Sequence, residues 1–179
     1  MNGILLIDKS VGPTSHDVVA RIRNTARERS VGHTGTLDPR ATGLLPLVMG
    51  KATRLAPYLS SSEKIYDARL ELGVETSTED AAGDVISRFD GPLPGHDAIA
   101  AALDAFRGMF DQVPSTISAK RIDGHKAYDL ARADKVVELK PVSVTVSELL
   151  LRRVDAAVVE LTVTATAGFY RSEEHTSEL

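Results

Sequence analysis

The spacing of apolar residues predicts two amphipathic helices. In the first, over residues 15–26, apolar side chains recur on one helix face: Val18, Val19, Ile22 and Ala26. Ser15 is the expected N-cap, because its hydroxyl can accept a backbone N–H, and Asp17 in the first turn suits the helix dipole. The second helix is expected over 97–107, with Gly108 as its C-cap. Shorter helices are expected over 53–59 and 124–133.

Other stretches alternate apolar and polar residues or form short apolar runs, as strands do. Residues 64–72 alternate cleanly, so Tyr66 and Leu70 share the inner face of a strand while Arg69 lies on the outer face. Pro46 cannot donate a ladder hydrogen bond, which favours a sheet edge or a bulge for 44–49. Residues 73–83 are expected to be a polar hairpin connection. The further strands are expected over 3–7, 84–89, 114–122, 142–154 and 158–166.

Strands outnumber helices and often follow one another through hairpins. The expected fold is therefore α+β, a mixed, largely antiparallel sheet with packed helices. The 179 residues suffice for one domain with its own core, and 42% hydrophobic and 26% charged residues are ordinary values for a globular protein. No apolar run reaches the roughly 18 residues of a membrane span, and no signal-peptide pattern begins the chain. We therefore expect a cytoplasmic protein that does not contact a membrane.

Composition narrows the chemistry. The chain contains no cysteine, which excludes disulfides, thiolate metal sites and thiol catalysis. The formal net charge is −4, but residues 1–72 hold ten Lys/Arg and seven Asp/Glu, whereas 73–179 hold eleven and eighteen. The positive charge of the first segment suits a phosphate-bearing partner, and a solvated helix face would have a similar composition.

Residues 32–43, Gly-His-Thr-Gly-Thr-Leu-Asp-Pro-Arg-Ala-Thr-Gly, follow neither a helical nor a strand period. Asp38 is the only acid among them, and Pro39 disfavours the α conformation at Asp38, so the carboxylate sits on a constrained backbone. His33 and Arg40 offer hydrogen-bond donors beside it. Surface turns use the same residue types, so composition alone leaves a turn and a functional site as alternatives.

The string from Gly32 to Pro39, followed by Ala-Thr-Gly-Leu-Leu at 41–45, resembles the catalytic motif of the TruB family, the bacterial tRNA pseudouridine-55 synthases. Four further blocks resemble that family in the same order: 2–9, 64–66, 76–83 and 114–132. The resemblance implies a pseudouridine synthase catalytic domain that converts a uridine in the T arm of tRNA to pseudouridine. It implies no metal and no cofactor.

Residue roles follow from the resemblance by motif position. Asp38 would be the catalytic aspartate, which could attack the sugar or take a proton from it. Tyr66 would stack on or hydrogen-bond the flipped base, and His33 would help to hold the RNA. Tyr170 would be a further active-site residue. The remaining substrate-binding residues would be Gly32, Thr36 and Arg40.

The sequence departs from the family pattern after Tyr170, where an apolar residue, Arg-Ser and a helix would follow. We interpret 1–170 as an incomplete catalytic domain and 171–179 as an artefactual tail, so Arg171 is not assigned the role of the family's active-site arginine. The family's C-terminal RNA-binding module is expected to be absent. A monomer that binds the T stem-loop of tRNA is expected. Two alternatives stay open: a fragment that binds or folds tRNA without chemistry, and an RNA-guided relative with the same core motif.

Overall fold

The computed structural model describes residues 1–61, 63–78, 81, 83–113, 121–122, 125–126 and 141–169, with the backbone alone at 121–122 and 125–126. The chain divides into two compact units, Met1–Ser62 and Glu63–Leu179. No helix in the described part of the chain is long and apolar enough to cross a membrane.

The first unit is a three-stranded antiparallel sheet with a helix packed on it. In chain order its elements are β1 (Gly3–Lys9), α1 (Ser15–Ala26), β2 (Val31–His33), β3 (Gly43–Met49), a 3-10 helical turn (Gly50–Leu55) and α2 (Ala56–Ser60). The strands lie in the order β1–β3–β2. The glycine-rich stretch therefore connects two strands that are neighbours in the sheet.

The core of this unit forms between α1 and one face of the sheet. Its buried residues are Val19, Val31, Leu45, Leu47 and Met49. Val18, Ile22 and Ala26 pack against them, which confirms the predicted apolar stripe of α1. Leu37, from the glycine-rich stretch, packs against the same core. The loop is thus attached to the hydrophobic interior by one side chain.

The prediction of Ser15 as the N-cap of α1 was wrong, because Thr14 takes that position. The Thr14 hydroxyl accepts the backbone N–H of Asp17 at 3.1 Å, and the Asp17 carboxylate accepts the backbone N–H of Thr14 at 2.9 Å. This reciprocal pair is a capping box, which satisfies two N–H groups at once. Ser15 becomes the first helical residue, and its hydroxyl takes a different partner.

Pro46 lies in the central strand of the sheet, so its predicted place at an edge or bulge was wrong. Strand β3 pairs with β1 on one side, where Pro46 is opposite Leu6, and with β2 on the other. Strand β2 ends at His33, and the Thr34 N–H still donates to the Pro46 carbonyl at 3.1 Å. The ring nitrogen faces this side of the strand, so the missing N–H costs at most the last hydrogen bond toward β2. The ladder to β1 is unaffected.

The second unit is built mainly from strands. Its elements are β4 (Lys64–Glu71), β5 (Val74–Thr76), β6 (Val85–Arg88), α3 (His96–Leu103), a 3-10 turn (Asp104–Phe106), β7 (Gly108–Gln112), β8 (Arg121–Ile122), β9 (His125–Lys126), β10 (Val142–Asp155) and β11 (Val158–Ala165). Four strands form a sheet in the order β4–β11–β10–β7, and β5–β6 and β8–β9 are separate two-stranded sheets. Every pair among the described strands is antiparallel, which confirms the α+β class.

The alternation in this unit was predicted better than its strand pairing. The inner-face residues of β11 are buried, the inner face of β4 is half-buried, and the β10–β11 hairpin is present. Strand β4, however, pairs with β11, and not with the strand at 84–89 as the predicted hairpin required. That strand pairs instead with β5, which lies inside the expected polar connection. The sheet face that carries Tyr66 is thus completed by side chains of β11, which lie about 95 residues further along the chain than β4.

Three further expectations meet the structure only in part. Gly108 does not cap the helix: α3 ends earlier, and Gly108 begins β7, a strand that was not predicted, with φ of 82°. His125 and Lys126 are extended in β9, so the predicted helix does not begin at 124. The rest of that helix, and residues 114–120 of the predicted strand, lie outside the described residues.

Replacement of a buried leucine in β3 should destabilise the first unit far more than replacement of an exposed one. Leu47 is 0% exposed and Leu44, in the same strand, is 64% exposed. We expect Leu47→Ala to lower the free energy of unfolding by about 2–5 kcal/mol, because it leaves a cavity in the core. Leu44→Ala should change it by about 0.5 kcal/mol or less. Urea titration would measure both, and equal losses would contradict this packing.

Candidate active site

The candidate site is the loop that connects β2 to β3. The loop and the end of β2 that precedes it contain five of the predicted site residues: Gly32, His33, Thr36, Asp38 and Arg40. Gly32 and His33 are the last two residues of β2, and Thr36, Asp38 and Arg40 are exposed. The structure therefore places these five residues at the end of β2 and on the short connection that follows it, with Asp38 near the middle of that connection.

Leu37, the residue before Asp38, is held by Ser15. The Ser15 hydroxyl accepts the Leu37 N–H at 2.9 Å and donates to the Leu37 carbonyl at 3.1 Å. Ser15 is 1% exposed, so both bonds lie in the interior, where a lost hydrogen bond is costly. Since the Leu37 side chain also packs on the core, both its backbone and its side chain are fixed.

Pro39, the residue after Asp38, is held by Lys9. The Lys9 ammonium donates to the carbonyls of Ser10, Pro39 and Ala41 at 3.0, 3.4 and 2.7 Å. An ammonium has three N–H donors, so this set uses all of them. The Gly12 N–H also donates to the Pro39 carbonyl, at 2.8 Å. Lys9 is 1% exposed, so a buried cation organises the loop backbone.

Asp38 is thus an exposed residue between two fixed neighbours. Its carbonyl accepts the Ala41 N–H at 3.0 Å, which closes a tight turn around Pro39. Pro39 also restricts the backbone of Asp38 itself. The backbone that carries the carboxylate is therefore held in place, which suits a nucleophile or a general base.

His33 lies beside this turn in an unusual environment. Its ring meets the ring of His16, in the first turn of α1, edge to face, with 5.2 Å between centroids. Burial, and then the neighbouring His16, lower the pKa of His33 below its ordinary value. Its Nδ1 atom is buried and has no hydrogen-bond partner among the described residues. The base of the loop thus holds an imidazole whose lowered pKa favours the neutral form and whose Nδ1 atom is buried.

The other predicted site residues are not on this loop. Tyr66 is half-buried on the inner face of β4, in the second unit, so its predicted role stays untested. Tyr170 and Arg171 lie outside the described residues. In the part of the chain that the structure describes, no group of three or more His, Asp or Glu side chains could hold a metal ion.

Three residues that organise the site were not predicted: Lys9, Ser15 and His16. Lys9 had a detectable signal, because it follows Leu5 and Ile7 at a spacing of two and therefore points to the buried face of β1. Ser15 was assigned a capping role that Thr14 performs. His16 had no signal, since only the packing of α1 brings it to His33.

Comparison with known proteins agrees with this architecture. Residues 23–171 match the family model described as "TruB family pseudouridylate synthase (N terminal domain)". A protein of Solibacter usitatus named tRNA pseudouridine synthase B is 44% identical over 98% of this chain. Its namesake from Thermobifida fusca is 45% identical over 94% of the chain. The matches cover 60% of each relative, so the chain spans about three fifths of their length.

Solved structures share the fold. A Cbf5–Nop10–Gar1 complex contains a chain that matches 96% of this one with a TM-score of 0.72 and 27% identity, over 42% of its own length. An H/ACA RNP bound to a substrate RNA containing 2′-deoxyuridine matches 94% of this chain with a TM-score of 0.65, over 39% of its own length. Fold, loop and matches together define a pseudouridylate synthase domain. The chain belongs to the TruB family.

Loss of the Lys9 ammonium should loosen the loop. We expect Lys9→Met, which keeps the length of the side chain, to lower the free energy of unfolding by about 1–3 kcal/mol, because the Ser10 and Ala41 carbonyls lose the Lys9 donor and the Pro39 carbonyl keeps only the Gly12 N–H. Trypsin should then cut the Arg40–Ala41 bond faster under native conditions. The matched control is Lys51→Met, since Lys51 is exposed. Cleavage at Arg40 as slow as in the parent protein would contradict this role of Lys9.

The protein should become less stable as the pH is lowered through the range in which His33 of the unfolded chain gains a proton. Because the pKa of His33 is lowered in the folded state, the unfolded state binds more protons just below the ordinary histidine value of about 6.5. The free energy of unfolding should therefore be fully present above pH 6.5 and decline as the pH falls below it. Urea titrations between about pH 7.5 and 5.5 would measure the slope.

The matched variants are His33→Gln and His96→Gln, since His96 is exposed in the second unit. The first should flatten the pH dependence in that range, because it removes the perturbed imidazole, and the second should leave it unchanged. A His33→Gln protein with the slope of the parent would assign the pH dependence to another group.

Proposed function

We propose that the protein to which this chain belongs converts a uridine in the T arm of tRNA to pseudouridine, with Asp38 as the catalytic residue. One observation supports this most directly: the family loop presents an exposed carboxylate between two residues that Ser15 and Lys9 hold in place. In this proposal residues 1–170 form part of the catalytic domain.

The reaction defines what the site must do. The N1–C1′ bond of uridine breaks and a C5–C1′ bond forms, while one proton leaves C5 and one arrives at N1. The detached uracil must therefore stay bound while it turns. A base in a folded stem-loop is inaccessible, so it must leave the stack and enter the site. The Asp38 carboxylate would either add to the sugar at C1′ or take a sugar proton, and both routes need it fixed beside the ribose.

The neighbouring side chains supply suitable binding groups. Arg40, exposed two residues from Asp38, offers a planar guanidinium that suits the phosphate of the target nucleotide. His33 would help to hold the RNA as a neutral imidazole, because its pKa is lowered. Gly32 and Thr36 offer backbone and hydroxyl contacts. The roles of Tyr66 and Tyr170 in holding the flipped base rest on the motif resemblance, and Arg171 receives none.

The choice of tRNA rests on the sequence relatives. Proteins named tRNA pseudouridine synthase B are 44% and 45% identical to this chain, whereas the Cbf5 and H/ACA structures are 27% identical. The higher identity supports a stand-alone enzyme acting on tRNA over an RNA-guided one. Recognition of the T stem-loop, a monomeric state and a cytoplasmic location are parts of the same proposal.

Replacement of Asp38 should abolish the reaction and spare RNA binding. Because the chain spans 60% of its relatives, the assay would use a chimera in which residues 1–170 are followed by the remaining C-terminal part of the Thermobifida fusca relative. Tritium release from tRNA that carries 5-tritiated uridine reports the chemistry. Asp38→Asn should lower the rate at least about 10⁴-fold, because it removes the reacting carboxylate. Affinity for tRNA should be retained.

The matched control is Asp97→Asn, which alters an exposed carboxylate in the second unit and should keep the parental rate. Near-normal turnover by Asp38→Asn would show that another group performs the chemistry. A chimera that binds tRNA but releases no tritium even with Asp38 intact would support the alternative of a binding or folding module.

A further inference from the structure

A groove lined by arginines lies at the end of α1 that is far from the loop. It has a volume of about 570 Å³ and is lined by Arg23, Asn24, Arg27, Glu28 and Arg29. All of these side chains are polar or charged, and four of the five residues are exposed. We call it the arginine groove. None of its residues takes part in the loop contacts described for the candidate site.

The charges of the arginine groove are largely available to a ligand. In the described part of the chain, Arg27 and Arg29 form no ion pair. Arg23 uses one of its five N–H donors on the Val31 carbonyl, at 2.7 Å, which fixes its guanidinium at the groove. The single acid, Glu28, accepts from the Met1 ammonium at 2.8 Å and from the Ser30 N–H at 3.0 Å. The three guanidinium groups carry three positive charges, whereas a helix C-terminus carries only roughly half a negative charge. Stabilisation of the helix end therefore does not account for all three.

Arg27 has a backbone conformation that arginine rarely adopts. Arg27 is the C-cap of α1, with φ of 50° and ψ of 36°, in the left-handed region. Glycine is the usual residue in that conformation, because a Cβ atom raises its energy. An arginine at this position is a local strain, and such strain clusters at binding sites.

We propose that the arginine groove binds the phosphate backbone of the RNA substrate, away from the target uridine. The inference rests on the proposed function, which supplies the polyanion. Guanidinium groups match phosphate oxygens in pairs, and the groove carries three of them and no lysine. A surface that binds an anionic membrane usually also inserts apolar side chains into it, and the lining of the groove has none. The groove therefore suits RNA better than a membrane.

The length of α1 sets where on the RNA this contact falls. The helix has 12 residues and is therefore about 18 Å long. Its first residue, Ser15, contacts Leu37 beside the catalytic loop, and the groove begins in its last turn. The separation is thus about 12–18 Å, which at about 3.4 Å per stacked nucleotide corresponds to roughly four to five nucleotides. The groove should therefore contribute to RNA affinity and leave the chemical step unchanged.

The test measures tRNA binding by the chimera as a function of salt concentration. Arg27→Gly combined with Arg29→Ala should weaken binding at least about tenfold and make the slope of log K against log salt shallower by about 1.4–1.8, because two phosphate contacts are lost. The single-turnover rate at saturating tRNA should match the parent. The charge-matched control is Arg88→Ala with Arg153→Ala, two exposed arginines of the second unit, which should keep the parental slope.

Two single variants separate binding from folding. Arg27→Gly should weaken RNA binding while the unfolding midpoint stays equal or rises, since glycine relieves the left-handed backbone. Glu28→Gln should tighten RNA binding and steepen the salt slope, because it removes the only acid of the groove. A structural defect would not produce either pattern.

Several outcomes would overturn the inference. One is a salt slope that the groove double variant leaves unchanged. Another is a loss of RNA affinity in the control pair equal to that in the groove variant. The third is a groove variant that loses binding to phosphatidylserine vesicles while its RNA binding stays intact. The two proposals fail in different measurements. Normal tritium release, together with an RNA affinity that the groove variants do not change, would refute only the proposal for the arginine groove. RNA binding that depends on the groove, without tritium release, would refute only the proposed isomerisation.

Discussion

The buried ammonium of Lys9 is the interaction on which the loop depends. A charge in a protein interior is costly unless hydrogen bonds satisfy it, and Lys9 forms no ion pair within the described residues. It is satisfied by three carbonyls, two of which, Pro39 and Ala41, lie about 30 residues further along the chain. Closure of the loop and burial of the cation therefore require each other. Asp38 lies on the loop that these contacts close.

The elements that were predicted correctly are those whose evidence is local. The apolar stripe of α1 and the alternation of β4 and β11 follow from periodicity, which burial of one face imposes on neighbouring residues. Strand partners were not predictable in this way. Pro46 suggested an edge because proline removes a donor, but the end of β2 beside it makes that donor nearly unnecessary. The partner of β4 is decided by side chains far along the chain.

The same distinction applies to the site. Composition marked the loop, and the resemblance to a known family selected Asp38 within it. The alternation with Leu5 and Ile7 could have assigned Lys9 to the buried face of β1. Its hydrogen-bond partners could not have been predicted, because they are backbone carbonyls, which any residue has. His16 and His33 meet only because α1 packs beside β2, so their coupling belongs to tertiary structure. Sequence therefore identifies the candidate reacting group more readily than the groups that hold its loop in place.

Helix α1 relates the two proposed RNA contacts to each other. Its first turn provides Ser15 and His16 to the candidate loop, and its last turn and C-cap provide Arg23 and Arg27 to the arginine groove. A helix packed along a sheet is stiff, so the distance between the two places is set by the number of its residues. Chemistry and backbone affinity are thus assigned to opposite ends of one element. A backbone seated in the groove would bring a particular nucleotide to Asp38 by distance, and the base itself need be recognised only after it has left the stack.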